Sequence, residues 1–192
     1  MVDGTGGSIR HSVVAEPASG DTLLAGYAAD GGFTDGYRID VVGDVDLERF
    51  VAAFYTTPLF RLERFVLALI GKASTDAQVA ALARGEADVF AAWTVEGRRG
   101  DELLMCDFQG RTRSWFKAEP APDGGTRLRF GSAIVPERGA DGRKRLGGVF
   151  RALLGFHRLY SIALLGAAAR RLRWRKTKRT MVGDVGFEPT TR

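Results

Sequence analysis

The sequence predicts an α+β domain in which an antiparallel sheet wraps around one long C-terminal helix. Apolar residues recur at helical spacing over about 46–83, alternate with a period of two over about 90–135, and return to helical spacing over about 146–172. The chain has 192 residues, of which 45% are apolar. That length and composition suit a single domain with one sizeable core.

Composition sets the domain boundaries, and we place the domain at 33–172. Residues 1–32 are rich in glycine and small polar residues, which predicts a flexible leader without the apolar run of a secretory signal. We predict that 173–192 is a basic, disordered tail. Residues 170–192 hold eight Arg or Lys and two acids, a net charge of +6 in a chain of +5, so the rest of the chain sums to −1.

This charge distribution bears on partners and location. The near-neutral body lacks the clustered basic surface of a nucleic-acid-binding domain, whereas the tail could touch anionic surfaces. The string Gly186-Phe187-Glu188-Pro189 is what results when GGN-TTC-GAA-CCN is translated, and these codons can contain a sequence that resembles the T-arm of a transfer RNA gene. We therefore interpret 181–192 as a reading frame that runs into a neighbouring gene. No segment reaches the roughly 18 apolar residues of a membrane span, so we expect a cytoplasmic protein without a transmembrane segment.

The first half of the domain begins with a strand at 37–42 and continues with three short helices. Asp46 is placed to cap the first helix, Thr57 and Pro58 begin the second, and Thr75 with Gln78 forms a capping box for the third. Each of the first two helices carries one apolar stripe, made of Leu47, Phe50, Val51 and Phe54 and of Leu62, Phe65, Val66 and Leu69.

The second half predicts four strands and the closing helix. The strands lie at about 90–96, 102–108, 112–119 and 126–135, and their short, turn-like links predict an antiparallel meander. In the last strand Leu128, Phe130, Ser132 and Ile134 share the core face. The closing helix must bury its apolar stripe on that face of the sheet, and the stripe consists of Phe150, Leu153, Leu154, His157, Tyr160, Ser161, Leu164 and Leu165.

Four segments resemble an uncharacterised bacterial family of the START-like (SRPBCC) superfamily, which includes the birch-pollen-allergen and polyketide-cyclase types. They are 56–64 (TTPLFRLER), 106–115 (CDFQGRTRSW), 130–133 (FGSA) and 155–160 (GFHRLY). The resemblance implies a helix-grip fold with a cavity between sheet and helix, and it supplies no catalytic residues. Helix-grip domains usually have more than the five strands that this sequence predicts. A sixth strand either lies near 23–27 or is absent.

His157 is the strongest candidate for chemistry because it lies in the middle of the closing helix's apolar stripe. A neutral imidazole there can orient a ligand or act as an acid or base, and Tyr160 and Ser161 add to the same polar patch. The alternative is a core histidine satisfied by a strand side chain such as Ser114, Ser132 or Asp107.

The other candidates each have a second interpretation. Asp107 either enters the barrel or begins the turn that follows it. Trp93 either lines a ligand pocket or packs ordinarily, and Trp115 shares the outer face with cationic neighbours. Arg61 and Arg64 either cap a cavity mouth, where they would bind a ligand carboxylate, or form a solvated helix face.

Several classes of site are not expected. The single cysteine, Cys106, and the two histidines argue against disulfides and zinc or other transition-metal sites, and no phosphate-binding glycine loop or nucleophile elbow occurs. We expect no cofactor. We expect the domain to bind a small, mainly apolar ligand between sheet and helix. The alternatives are an enzyme of the cyclase or dehydratase kind, with His157 as acid or base, and a cavity-free domain that acts by protein contact.

Overall fold

The computed structural model describes the backbone of residues 12–30, 32–135, 137–138, 144–145 and 148–182, and the side chains of 12–30, 32–135 and 155–173. A strand, a short helix and a second strand come first, and three short helices, a run of strands and one long helix follow. The elements are β1 (Val14–Ala15), α1 (Ala25–Ala29), β2 (Phe33–Val41), α2 (Leu47–Tyr55), α3 (Pro58–Leu69), α4 (Asp76–Arg84), β3 (Val89–Phe90), β4 (Trp93–Arg98), β5 (Glu102–Asp107), β6 (Thr112–Pro120), β7 (Thr126–Ile134), β8 (Glu137–Arg138), β9 (Lys144–Arg145) and α5 (Gly148–Val182).

Seven strands form one antiparallel sheet in the order β1-β2-β7-β6-β5-β4-β3, and β8 pairs with β9 separately. The strands β3 to β7 are the expected meander. The first long strand, β2, pairs with β7 from Phe33 opposite Ile134 to Val41 opposite Thr126. The prediction of an α+β fold with an antiparallel sheet, short helices after the first long strand and a C-terminal helix is confirmed.

The helix boundaries follow the predicted capping residues. The Asp46 carboxylate accepts a hydrogen bond from the Arg49 amide at 2.7 Å, and Thr57 caps α3 in the same way. Thr75 and Gln78 form both hydrogen bonds of a capping box at the start of α4. These local bonds satisfy amides that the first helical turn leaves without partners, which is why the sequence alone located these starts.

The inner face of the sheet, which α2 and α5 cover, carries the main core. Phe54 lies 4.9 Å from Phe116 and 4.7 Å from Phe130, measured between ring centroids. The described part of α5 buries Ser161, Leu164, Leu165, Ala168, Ala169 and Leu172. The predicted stripe is therefore correct over this part of the helix, while the side chains of Phe150, Leu153 and Leu154 lie outside the described residues.

The apolar stripe on α3 points away from the core. Leu62, Phe65, Val66 and Leu69 are 55–72% exposed, and Phe60 is the buried residue of this helix. The reason lies in the other side of the helix, where Arg64 donates to the Ser74 carbonyl at 2.7 Å and to Asp76 at 2.6 Å. Periodicity identified the stripe but could not show which side of α3 the rest of the domain would cover.

The outer face of the sheet is covered by part of the segment predicted as a loose leader. Leu24, Leu104, Trp115 and Ala133 form a second buried cluster there. The additional strand is at Val14–Ala15, whereas 23–27, the predicted site for it, contributes to the start of α1 and to α1 itself. Trp115 does lie on the outer face, as predicted, but the leader buries it.

Two paired glycines allow this close approach. Gly36 lies opposite Gly131 in the β2–β7 pair. A Cβ atom on Gly131 would lie 2.7 Å from Leu24 Cδ2, and one on Gly36 would lie 2.4 Å from the Glu16 carbonyl oxygen. Any larger residue at either position would push the leader off the sheet.

At the other end of the chain, the backbone of α5 is helical to Val182. The first part of the predicted disordered tail, 173–182, therefore belongs to this helix, and the rest lies outside the described residues. Within the described ranges, none of the helices combines the length and apolar content needed to span a bilayer.

Candidate functional site

At one end of the inner face, polar side chains take the place of the aromatic core. Asp35 on β2 and Ser114 on β6 both lie opposite Ser132 of β7, so the three residues form a row across the sheet. His157 of α5 reaches this row, with its Nε2 atom 3.0 Å from the Ser132 Oγ atom. The structure thus brings three of the predicted residues, His157, Ser132 and Ser114, to one place.

The imidazole of His157 is hydrogen-bonded to the sheet but is not fully buried. Its Nε2 atom is also 3.8 Å from Asp35 Oδ2, and the side chains are 32% and 10% exposed respectively. Asp35 in turn accepts hydrogen bonds from the Ser132 amide and the Tyr37 hydroxyl, both at 3.1 Å. The contact with Ser132 is the one named in the alternative of a core histidine, but the ring is partly exposed and therefore accessible to a ligand.

The geometry is not that of a nucleophilic triad. In such a triad the serine and the carboxylate bind opposite nitrogens of the imidazole. Here both Ser132 and Asp35 approach the same atom, Nε2 of His157. Ser132 is also buried, so its hydroxyl orients the ring and does not face an incoming substrate.

Next to His157, Tyr160 forms a pair with Glu63 of α3. The Tyr160 hydroxyl donates to the Glu63 carboxylate. Burial raises the pKa of Glu63 above its usual value, although the Tyr160 hydrogen bond acts against it. Burial and the neighbouring carboxylate also raise the pKa of Tyr160. Within the described part of the chain, no lysine or arginine pairs with Glu63.

Tyr55, the last residue of α2, lies in the aromatic core beside this pair. Its ring centroid is 4.7 Å from Phe60 and 5.5 Å from Phe116, and the residue is 1% exposed. Its hydroxyl has no hydrogen-bond partner among the described residues. Burial and the charge of Glu63 both raise the pKa of Tyr55. A buried hydroxyl without a partner costs about 1–3 kcal/mol, which makes it a group that needs an explanation.

Trp93 lies at the edge of the same aromatic group, a position that suits both of its predicted roles. It is half-buried against the inner core, 5.7 Å from Phe60 and 6.5 Å from Tyr55 between ring centroids. Ser161, by contrast, is fully buried on α5 and is therefore a packing residue.

Two other predicted site residues have structural roles. Asp107 accepts from the amides of Arg111 at 2.7 Å and Thr112 at 3.0 Å, so it closes the β5–β6 turn, as the alternative interpretation held. It is not a ligand group in the barrel. Burial raises the pKa of Cys106, so the thiol remains protonated and is not an activated nucleophile.

The two arginines of α3 do not border the site. Arg61 and Arg64 both bind the Asp76 carboxylate, and Arg64 also lies 5.9 Å from the ring centroid of Phe90. They connect α3 to α4 and line an open pocket there, in which the Asp76 carboxylate already occupies their guanidinium groups. Their predicted role in binding a ligand carboxylate stays a prediction.

The sequence did not single out Asp35, Glu63 or Tyr55. Asp35 precedes the predicted start of the first strand, and Glu63 lies between two arginines, a pattern typical of a solvated helix face. Tyr55 has no sequence signal, because nothing local predicts that its hydroxyl lacks a partner. Among the described residues no group of three or more His, Cys, Asp or Glu side chains could hold a metal ion.

Comparison of the chain with models of known protein families, with curated proteins and with solved structures found no match in any of the three. The resemblance to the START-like superfamily therefore stays a prediction.

Proposed function

We propose that the protein binds a small, mainly apolar molecule between the sheet and α5, at the end of the inner face where His157 and Tyr160 lie. The observation that carries this proposal is the placement of a few polar groups beside an aromatic core. Ligand sites are typically apolar with a small number of polar groups that fix orientation. His157 and Tyr160 would orient the ligand, and Trp93 would contact its apolar part.

The polar groups at this end are costly for a core built only for stability. Burying a carboxylate without a cation is unfavourable, and well-packed apolar residues would usually serve stability better. Glu63 lies in that situation within the described residues. A ligand that uses these groups would account for their presence.

The aromatic core that adjoins this end supports a confined site. Phe50, Phe54, Phe116 and Phe130 pack against one another between the sheet and α2. Close-packed aromatic rings leave little room for a guest, because protein interiors are packed as densely as organic crystals. Binding is therefore expected where the core ends.

A second candidate function is an enzyme of the cyclase or dehydratase kind, with His157 as acid or base. It is favoured by the Glu63–Tyr160 pair, whose raised pKa values place two further proton-holding groups beside the imidazole. In this version Ser132 holds the His157 ring so that its accessible edge faces the substrate.

Native mass spectrometry of the gently purified protein tests the first proposal. We expect an added mass that is present under native conditions and lost on denaturation. The variant His157→Ala should lose much of it, while Arg170→Ala, an exposed position on the same helix, should retain it. Protein that carries no added mass from any expression host, and that binds no offered apolar compound, would contradict the proposal.

Turnover separates the enzyme from the binding protein. If the parent converts a compound that it binds, and His157→Ala still binds that compound without converting it, the enzyme is favoured. A cavity-free domain that acts by protein contact, for which the exposed stripe of α3 would be the surface, predicts no small-molecule binding in either experiment.

A further inference from the structure

Three helices bring hydrogen-bonding groups together at one point of the inner core. Tyr55 ends α2, Glu63 lies in the middle of α3, and Tyr160 lies on α5. The Tyr160 hydroxyl donates to Glu63, whereas the Tyr55 hydroxyl, on a residue that is 1% exposed, has no partner among the described residues. Tyr55 packs against α3 one helical turn before Glu63, since its ring centroid lies 4.7 Å from that of Phe60.

Glu63 and Tyr55 both have hydrogen-bonding positions that no described residue uses. A carboxylate has about four acceptor positions on its two oxygens, and Tyr160 uses one of those on Glu63. The hydroxyl of Tyr55 can donate one hydrogen bond and accept others. Glu63 can therefore accept a hydrogen bond from a further donor, and Tyr55 can donate one to a further acceptor. A hydroxyl is the smallest group that supplies both.

The surroundings of these polar groups are aromatic. Trp93 is half-buried and lies 6.5 Å from Tyr55 and 5.7 Å from Phe60 between ring centroids. Aromatic side chains at such spacing favour offset or edge contacts with a further ring. A ligand that brings a hydroxyl to Glu63 and Tyr55 would thus place its apolar body against Trp93.

We propose that Tyr55, Glu63 and Tyr160 form a subsite for the hydroxyl group of an otherwise apolar, ring-containing ligand. This inference rests on the proposed function and specifies its ligand class. Glu63 accepts the hydrogen bond from the ligand, Tyr55 donates to the ligand oxygen, and Tyr160 holds the carboxylate in place. His157 lies one helical turn before Tyr160 on α5 and contacts a different part of the ligand, while Ser132 holds the His157 ring.

Two matched compounds test the subsite. 2-Naphthol and 2-methylnaphthalene differ in a hydroxyl in place of a methyl group, and each can be titrated against the fluorescent apolar probe N-phenyl-1-naphthylamine. The wild-type protein should prefer 2-naphthol by about tenfold, the effect of one or two buried hydrogen bonds. In Tyr55→Phe the affinity for 2-naphthol should fall about five- to tenfold, while that for 2-methylnaphthalene should stay within about twofold.

Tyr37→Phe is the matched control, because the Tyr37 hydroxyl is also buried but already donates to Asp35. It should leave the preference between the two compounds unchanged. Thermal unfolding without ligand adds a second measurement. Tyr37→Phe should lower the midpoint by about 2–4 °C, as expected for a lost hydrogen bond, and Tyr55→Phe should not lower it.

The outcomes separate this inference from the proposed function. If both compounds displace the probe and Tyr55→Phe leaves their affinity ratio unchanged, the subsite is wrong and the binding function stands. If neither the probe nor the compounds bind, the binding function fails and the subsite fails with it. A midpoint drop of several degrees in Tyr55→Phe would show that its hydroxyl has a partner in the protein, and would overturn the subsite.

Discussion

Two glutamates that lie on opposite sides of the sheet have different partners; Glu102 is buried on the sheet itself, and Glu63 is half-buried on α3. Glu102, on the outer face, is 1% exposed. It accepts hydrogen bonds from the Trp115 indole and the Lys117 ammonium at 2.9 Å and from the Leu23 amide at 2.8 Å. Its charge is balanced by a cation, and its acceptors bind the leader to the sheet.

Glu63, on the inner side, accepts one hydrogen bond from Tyr160 and has no cationic partner within the described residues. Its raised pKa reflects this burial. The comparison teaches that burial of a carboxylate does not by itself indicate function. Glu102, with its complete set of donors, holds the leader on the sheet, whereas the incomplete set around Glu63 is the basis on which we propose a ligand site.

The largest expected effect is at Glu102. Glu102→Ala removes the shared acceptor of Lys117, Trp115 and the Leu23 amide. The Trp115 indole and the Leu23 amide lose the acceptor they have in the described structure, while Lys117 keeps its ion pairs with Asp101 and Glu119. We expect a loss of about 3–5 kcal/mol in the free energy of unfolding, as for other broken buried ion pairs, measured by urea denaturation.

The matched control is Asp101→Ala, because Asp101 also binds Lys117, at 2.9 Å, but its side chain is 48% exposed. It should cost less than about 1 kcal/mol, as exposed pairs do. Equal losses for the two variants would contradict the role given to Glu102.

A smaller effect is expected where the leader meets the sheet. Gly131→Ala places a Cβ atom within 2.7 Å of both the Asp35 carbonyl oxygen and Leu24 Cδ2. We expect a loss of about 1–3 kcal/mol, since this is overpacking of a closed contact. Limited proteolysis within 16–24 should be faster in the variant. Gly26→Ala, where an added Cβ meets nothing within 4 Å, should not destabilise the protein. Unchanged stability and proteolysis in Gly131→Ala would show that the leader is not held there.

The smallest effect, and the one with a distinctive pH dependence, is at Glu63. Its pKa is raised by burial, so the folded protein holds this proton more tightly than the unfolded chain does. The free energy of unfolding of the wild type should therefore fall as pH rises from the unfolded pKa, about 4.3, through the higher folded pKa. Glu63→Gln lacks this titration and should become progressively more stable relative to the wild type across that window.

Asp40 provides the control of opposite sign. Arg127 lowers the pKa of the Asp40 carboxyl, so its ion pair stabilises the fold above the unfolded pKa and is lost as pH falls. Asp40→Asn should therefore lose stability relative to the wild type as pH rises. If the curve of Glu63→Gln runs parallel to that of the wild type, then Glu63 has an ordinary, well-satisfied environment and the comparison with Glu102 fails.

The features that the sequence predicted best are those that depend on residues close together in the chain. Asp46, Thr57 and Thr75 locate helix starts because each caps its own first turn. The docked leader depends on Gly36 and Gly131, which are distant in sequence and meet through strand pairing, so it was predicted as loose.

The same distinction applies to the candidate site. The stripe on α5 placed His157 and Tyr160 toward the sheet, and strand alternation placed Ser132 on the core face. Their partners Asp35 and Glu63 depend on the β2–β7 register and on the orientation of α3, which no local pattern gives. For the same reason Asp107 was open to a ligand role until its turn contacts were known.

We expect a ligand to bind on the inner face, beside Glu63 and Trp93, and not on the outer face, beside Glu102 and Trp115. The indole N–H signals in a ¹⁵N–¹H correlation spectrum, assigned with Trp→Phe variants, test it most directly. On titration with 2-naphthol the Trp93 signal should shift and saturate, while the Trp115 signal, which reports the hydrogen bond to Glu102, should stay in place. A Trp93 signal that does not move at saturating 2-naphthol, or a shift confined to Trp115, would contradict the account.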